Sequence, residues 1–246
     1  MRSMPFIRSI AILTAAAASL NAQNTPANNT LTDTERAEGW HLLFDGVTTN
    51  GWRGYQMTRL PDGWKVQDGM LMKEITTEDI VTVGSYGDFE LTLEWKVGRR
   101  GNAGLFYRAT EQYNRVYWSS HEYQIFTDDS TYADGRNPLT SAGAVYGFYP
   151  AARGVVKPAN EWNTTKIVAK GTHVEHWLNG TMLAQFEIGS PDWEAKFKAS
   201  KFTPYANYAR EKSGRIAIQG DHNGILQLRN IKIREFVPPP PPRERE

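Results

Sequence analysis

The chain of 246 residues has no cysteine, so it can hold no disulfide, no thiolate metal site, no cysteine nucleophile and no lipid-modified N-terminal cysteine. Its stability must come from packing. Excess charge is missing as well. Lys and Arg number 28 against 27 Asp and Glu, a formal net charge of +1, and no long basic run lies beyond the first residues, which argues against nucleic acid as a partner. The one long apolar run, at 9–18, is too short for a membrane span. There is no G-x-S-x-G, GxGxxG, Walker loop or HExxH. Nucleophile-elbow hydrolases, dinucleotide enzymes, NTPases and zincin-type metalloenzymes therefore lack their signatures.

What is present starts with a leader. Arg2 and Arg8 flank a basic start, the apolar run follows, and SLNA at 19–22 ends in small residues. This pattern predicts a signal peptide over 1–22, cut near Ala22, and hence an exported protein, periplasmic or extracellular. Loss of Arg2 and Arg8 takes the charge from +1 to about −1. The polar, Asn- and Thr-rich stretch 23–36 reads as a flexible linker, residues 37–237 as one folded domain, and 238–246, five prolines followed by Arg243-Glu244-Arg245-Glu246, as a solvated tail.

Within the domain, short runs alternate apolar and polar residues: 41–44, 64–67, 70–73, 80–83, 89–97, 103–108, 122–126, 162–169, 173–178, 182–187, 215–219 and 225–236. Each reads as a β-strand. The clearest, 89–97, alternates five apolar residues with Glu90, Thr92, Glu94 and Lys96, so those carboxylates belong to a solvated face and not to a site. Asn179-Gly180 predicts a type I′ hairpin turn, and the DHNG run at 221–224 a second hairpin. One short helix is expected at 192–199. The sum is an all-β sandwich of antiparallel sheets.

Two strands carry the chemistry. With Leu105, Tyr107, Tyr123 and Ile125 turned inward, Arg108, Glu122 and Gln124 look outward, beside Tyr113, Tyr117 and Trp118. Amide, carboxylate and cation next to flat rings suit a sugar, whose C–H face packs on aromatics while its hydroxyls find partners. A surface ion pair accounts equally well for the charged groups. The long irregular stretch 127–161 reads as a wall of the site, and Asp128-Asp129 within it as a polar loop start, with Ca²⁺ binding as the alternative. His222 reads as a turn histidine in water, His173 and His176 as lying on opposite strand faces, and His41 and His121 as strand decoration.

Ten motifs in order carry a resemblance: WHLLFDG at 40–46 with GW at 51–52, WKVQDG at 64–69, YGDFEL at 86–91, NAGLFYR at 102–108, EYQI at 122–125, GAVY at 143–146, EWN at 161–163, WLNG at 177–180, IQGDH at 218–222 and RNIKI at 229–233. The chain resembles the 3-keto-disaccharide hydrolase domain family, which implies a concanavalin A-like jelly-roll sandwich. It implies a carbohydrate substrate oxidised to a 3-ketone and cleaved by base-promoted elimination followed by hydration. Carried onto this sequence, the resemblance marks Arg108, Glu122, Gln124, Tyr146, Lys157 and His222. Glu122 or His222 would be the base, Arg108 or Lys157 would hold the enolate oxygen, and Gln124 and Tyr146, with Trp118, would bind the sugar. A non-catalytic carbohydrate-binding module on the same sandwich, and an ordinary two-carboxylate glycosidase, are the alternatives.

Overall fold

A computed structural model describes residues 27–99, 101–128 and 137–236. The expected signal peptide and tail lie outside the described residues, as do Asp129, Tyr132 and Asp134. The elements in chain order are α1 (Asp33–Ala37), β1 (Trp40–Leu42), β2 (Trp52–Gly54), β3 (Trp64–Gln67), β4 (Met70–Lys73), β5 (Ile80–Thr82), β6 (Phe89–Val97), β7 (Ala103–Ala109), β8 (Glu122–Ile125), β9 (Asn163–Lys170), β10 (His173–Leu178), β11 (Thr181–Glu187), α2 (Pro191–Ala199), β12 (Arg215–Ile218) and β13 (Leu226–Glu235), with a 3₁₀ turn at Val116–Trp118.

Two antiparallel sheets stack face to face. The large one runs β11-β10-β9-β6-β13-β4-β3, with β1 also on β13; the small one runs β2-β5-β12-β7-β8. Strict alternation in β6 buries Phe89, Leu91, Leu93, Trp95 and Val97 against Leu105, Tyr107, Tyr123, Ile125, Ile216 and Ile218 of the small sheet. Buried Trp95 donates its indole N–H to Thr165 Oγ1 at 2.9 Å, so no polar atom of that large side chain is left unpaired. On the solvent side Glu94 and Glu90 meet Arg229 and Arg234 of β13. Such half-exposed cross-strand pairs are worth about 0.2–1 kcal/mol each, a structural role as expected.

The hairpin at Asn179-Gly180 has both residues at positive φ, 48° and 82°, as a type I′ turn requires. Three expectations need correction. Residues 221–224 make no hairpin, because β12 and β13 belong to different sheets and the segment crosses between them. Residues 27–36 are no free linker: Asn29 and Asn230 exchange backbone-to-side-chain bonds of 2.6 and 2.8 Å, and Lys232 reaches Glu35 at 2.8 Å. That stretch also contains α1, a second helix too short for apolar periodicity, whose Thr32 and Glu35 form a capping box.

The stretch 127–161 is partly organised by the sheet edge. Gly143 N–H donates to Gln124 O at 2.8 Å and Tyr146 N–H to Glu122 O at 3.0 Å. This backbone pairing extends the small sheet beyond β8 and fixes Tyr146 beside Glu122.

Candidate active site

The outer face of the small sheet has a dip. Gly104 in β7 lies opposite Gln124 in β8, and Gln219, just past β12, donates its N–H to Gly104 O at 2.9 Å. Gln219, Gly104 and Gln124 thus form a row across three adjacent strands. A Cβ on Gly104 would fall 2.6 Å from Glu122 Oε1 and 2.8 Å from Phe106 Cζ, so glycine is required here for space and not for its dihedral angles. The Glu122 carboxylate fills that room. Asn102, Tyr117, Trp118, Tyr146, Lys201, Phe202, Asp221 and His222 complete a cleft of about 260 Å³. That is near the lower bound for small-molecule sites, suited to one sugar ring.

Glu122 is 8% exposed. Burial pushes its carboxyl up to about 8, the nearby aspartates Asp221 and Asp79 push the same way, and the Lys201 ammonium opposes them. Lys201 Nζ sits 4.7 Å from the centre of the Tyr146 ring, a cation–π contact that holds the charge over the cleft. Gln124 Nε2 donates to Asn102 Oδ1 at 2.7 Å, which turns its amide oxygen away from Asn102. Trp118 stacks on Tyr205 at 4.4 Å and 12°, a flat wall at the rim.

The loop carrying Asp221 and His222 is clamped from below by the β4–β5 connection. Buried Lys73 donates to His222 O at 2.7 Å and Gly224 O at 3.1 Å. Thr76 Oγ1 donates to Asn223 Oδ1 at 2.7 Å, Gly220 N–H donates to Asp79 Oδ1 at 2.7 Å, and Thr77 N–H to Gly220 O at 3.0 Å. Burial lowers the Lys73 ammonium to about 8 and raises the Asp79 carboxyl to about 6. Both ends of this polar network are therefore held at a desolvation cost, and the hydrogen bonds offset it.

Of the residues expected at the site, Glu122, Gln124, Tyr146, Trp118 and His222 come together. Arg108 does not. Its position carries a bulge: Ala109 and Phe106 pair with Arg215 and Ala217, three steps against two, and Arg108 takes φ 52°. The extra residue rotates its side chain out of the strand alternation, and the guanidinium bonds Gly87 O, Gly171 O and Asp88 instead. Lys157 is not among the lining residues either; its backbone N–H donates to Asn163 Oδ1 at 2.8 Å, tying the loop to β9. The lining cation is Lys201, which stands after α2 in a segment with no alternation to flag it. Asp221 and Gln219 were within the IQGDH motif, but only the crossover between sheets turns them into the cleft.

One histidine is also repositioned: His121 is no strand decoration but buried, and accepts from the Trp193 indole at 2.8 Å. His173 and His176 do lie on opposite strand faces, and buried His176 bonds Tyr107 Oη at 2.9 Å and Gly143 O at 3.1 Å. Asp128 accepts from Gly154 N–H at 2.8 Å and lies 3.6 Å from Arg153. That carboxylate is thus paired with a cation. Among the described residues no cluster of three or more His, Asp or Glu side chains could hold a metal.

A lectin-like sandwich with a carboxylate sunk into one sheet face, ringed by amides and aromatics, defines a carbohydrate-active protein. The family follows from comparison. Residues 39–234 match the 3-keto-alpha-glucoside-1,2-lyase-like domain. The 3-keto-disaccharide hydrolase of Bacteroides thetaiotaomicron is 32% identical over 231 aligned positions, 80% of this chain and 79% of that protein. A Parabacteroides distasonis protein provisionally assigned as a glycosyl hydrolase superposes with a TM-score of 0.80 at 32% identity, over 86% of this chain and 100% of that one. A Bacillus subtilis protein of galectin-like fold shares the architecture alone, with a TM-score of 0.50 at 13% identity over 87% of this chain and 96% of that one. The chain belongs to the 3-keto-alpha-glucoside-1,2-lyase-like family and is a carbohydrate-active enzyme.

Proposed function

We propose that this protein is an exported enzyme that cleaves 3-keto-glycosides by elimination followed by hydration, with Glu122 as the base. The observation that carries the reading is the desolvated Glu122 carboxylate at the bottom of a one-ring cleft, with one lysine beside it. A ketone at C3 acidifies the C2–H bond. Glu122 takes that proton, and its raised pKa makes it a stronger base than a solvated carboxylate. The negative charge that develops on the ketone oxygen faces Lys201, which is the role resemblance had given to Arg108 or Lys157. As the C1–O bond breaks, its electron pair leaves with the aglycone, and His222 at the mouth supplies the proton. Water then adds at C1 and a proton returns to C2, so the sum is hydrolysis. Tyr146 and Trp118 pack on the ring. Export rests on the leader, Arg2, Arg8 and the apolar run behind them.

A second reading draws on Asp221, which puts a second carboxylate in the same cleft as Glu122 and would serve an ordinary glycosidase acting on unoxidised sugars. The experiment is product analysis with a 3-keto-glucoside and its unoxidised parent, using wild type, Glu122→Gln and His222→Ala, with and without a chelator. Aglycone released from the keto form alone, and lost in Glu122→Gln, supports elimination. Cleavage of the unoxidised parent supports the glycosidase. Inhibition by the chelator would bring a divalent cation such as Ca²⁺ into the site. If neither substrate is cleaved and unmodified glycans bind, the protein is a carbohydrate-binding module.

A further inference from the structure

Buried acceptor atoms without a donor are rare in folded proteins, because each forfeits its hydrogen bonds to water. Among the described residues seven buried side-chain polar atoms have no hydrogen-bond partner, and three of the seven are Gln124 Oε1, Gln219 Oε1 and Asp221 Oδ1. All three residues line the cleft. Gln124 and Gln219 are only 3% and 4% exposed, so ordinary surface hydration does not explain them. Their concentration at one place points to a ligand that brings donors.

The geometry narrows what that ligand is. The Gln124 amide is oriented by its Nε2 bond to Asn102 Oδ1, which leaves Oε1 as the free acceptor. Gln219 stands on the far side of Gly104, two strands and about 10 Å away along the sheet. Between them lies the dip that the missing Cβ leaves open, with Glu122 in it. A ring seated there meets an acceptor at each edge and a third at the Asp221 end, where Oδ1 also lies 3.8 Å from His222 Nε2. Ketone, carboxylate, sulfate and phosphate oxygens accept only, and would face these oxygens repulsively. Hydroxyls donate. The ring's carbonyl is matched by the Lys201 ammonium among the lining groups.

We propose that Gln124, Gln219 and Asp221 form a hydroxyl-reading floor that restricts this site to neutral rings carrying free hydroxyls on either side of the reacting carbons, and excludes deoxy, acylated and uronic acid sugars. The proposal rests on the reading of the cleft as a sugar site, but its test needs no turnover. Methyl glucoside, its individual deoxy analogues and methyl glucuronide are titrated into the full chain by calorimetry, alongside Gln124→Leu and Gln219→Leu. A site built around a substrate hydroxyl rejects the analogue lacking it by up to about 10⁴-fold. We therefore expect at least one deoxy analogue to lose 100-fold or more on wild type (about two decades), and to bind one of the leucine variants as well as the parent does. Gln219→Leu should also melt at or above the wild-type temperature, since it removes an acceptor that the free protein leaves unpaired, whereas Gln124→Leu also gives up the bond to Asn102 Oδ1. Deoxy analogues that bind like the parent, glucuronide that binds better, no binding of the parent to folded protein, or a Gln219→Leu variant that melts well below wild type would each overturn the proposal. Absence of elimination with intact hydroxyl selectivity would sink the proposed reaction and leave this inference standing.

Discussion

Replacing Glu122 with glutamine should make the protein more stable at alkaline pH while abolishing its activity. The carboxyl rises from 4.5 to about 8 in the fold, chiefly by burial. A carboxyl that binds its proton more tightly when folded favours the folded state fully below about pH 4.5, and that advantage is lost as pH rises toward about 8. Each pKa unit corresponds to about 1.4 kcal/mol, so the loss reaches up to about 5 kcal/mol, a sizeable part of a domain's typical 5–15 kcal/mol. Glutamine keeps the shape and has no charge to bury. Urea unfolding of wild type and Glu122→Gln from about pH 5 to about pH 9 isolates the effect, because Asp79, itself raised to about 6, is present in both. The difference should move by several kcal/mol in favour of glutamine across that range. A difference that stays flat would refute the burial argument, and with it the idea that Glu122 is a strengthened base.

Other variants separate roles that look alike in the sequence. Lys201→Met should lower kcat by about 10²–10³, as loss of one charge-stabilising group does, with unfolding little changed; steady-state kinetics on a 3-keto-glucoside check it. Arg108→Met, by contrast, leaves two carbonyls without donors and a half-exposed Asp88 without its guanidinium, so urea melts should show a loss of about 1–3 kcal/mol, with kcat of the folded protein moving far less than in Lys201→Met. Lys73→Met removes the two hydrogen bonds that hold His222 O and Gly224 O. It should speed amide exchange in that loop and raise KM as well as lower kcat, whereas unaltered exchange would show that the clamp is not what holds His222.

Most strands could be read from period-two alternation, because each buries one face, as in the five inward residues of β6. Glu122 and Gln124 were legible for the same reason: their parity follows from Tyr123 and Ile125. Arg108 failed because a bulge carries no signature in composition, and one extra residue reverses the side chain. Lys201 was invisible as a site residue because nothing local marks it, and Asp221 stood within the IQGDH motif without being singled out; they arrive through the packing of the post-α2 segment and through a crossover between sheets. The helix α1 was short of any apolar stripe, and only its capping box at Thr32 and Glu35 could have announced it. Local patterns thus located the floor of the cleft, and tertiary packing supplied its walls.

The most direct test of the central claim is to run the cleavage of a 3-keto-glucoside in D₂O and locate deuterium in the freed sugar at early times, against a control of the product incubated with heat-inactivated enzyme. Elimination removes the C2 proton and hydration returns one from solvent, so deuterium at C2 in step with aglycone release is expected, with a pH–rate profile that rises toward about 8 as Glu122 ionises. Aglycone released with protium retained at C2, together with an unchanged rate for substrate deuterated at C2, would contradict the account, since the C1–O bond would then have broken without Glu122 acting on C2.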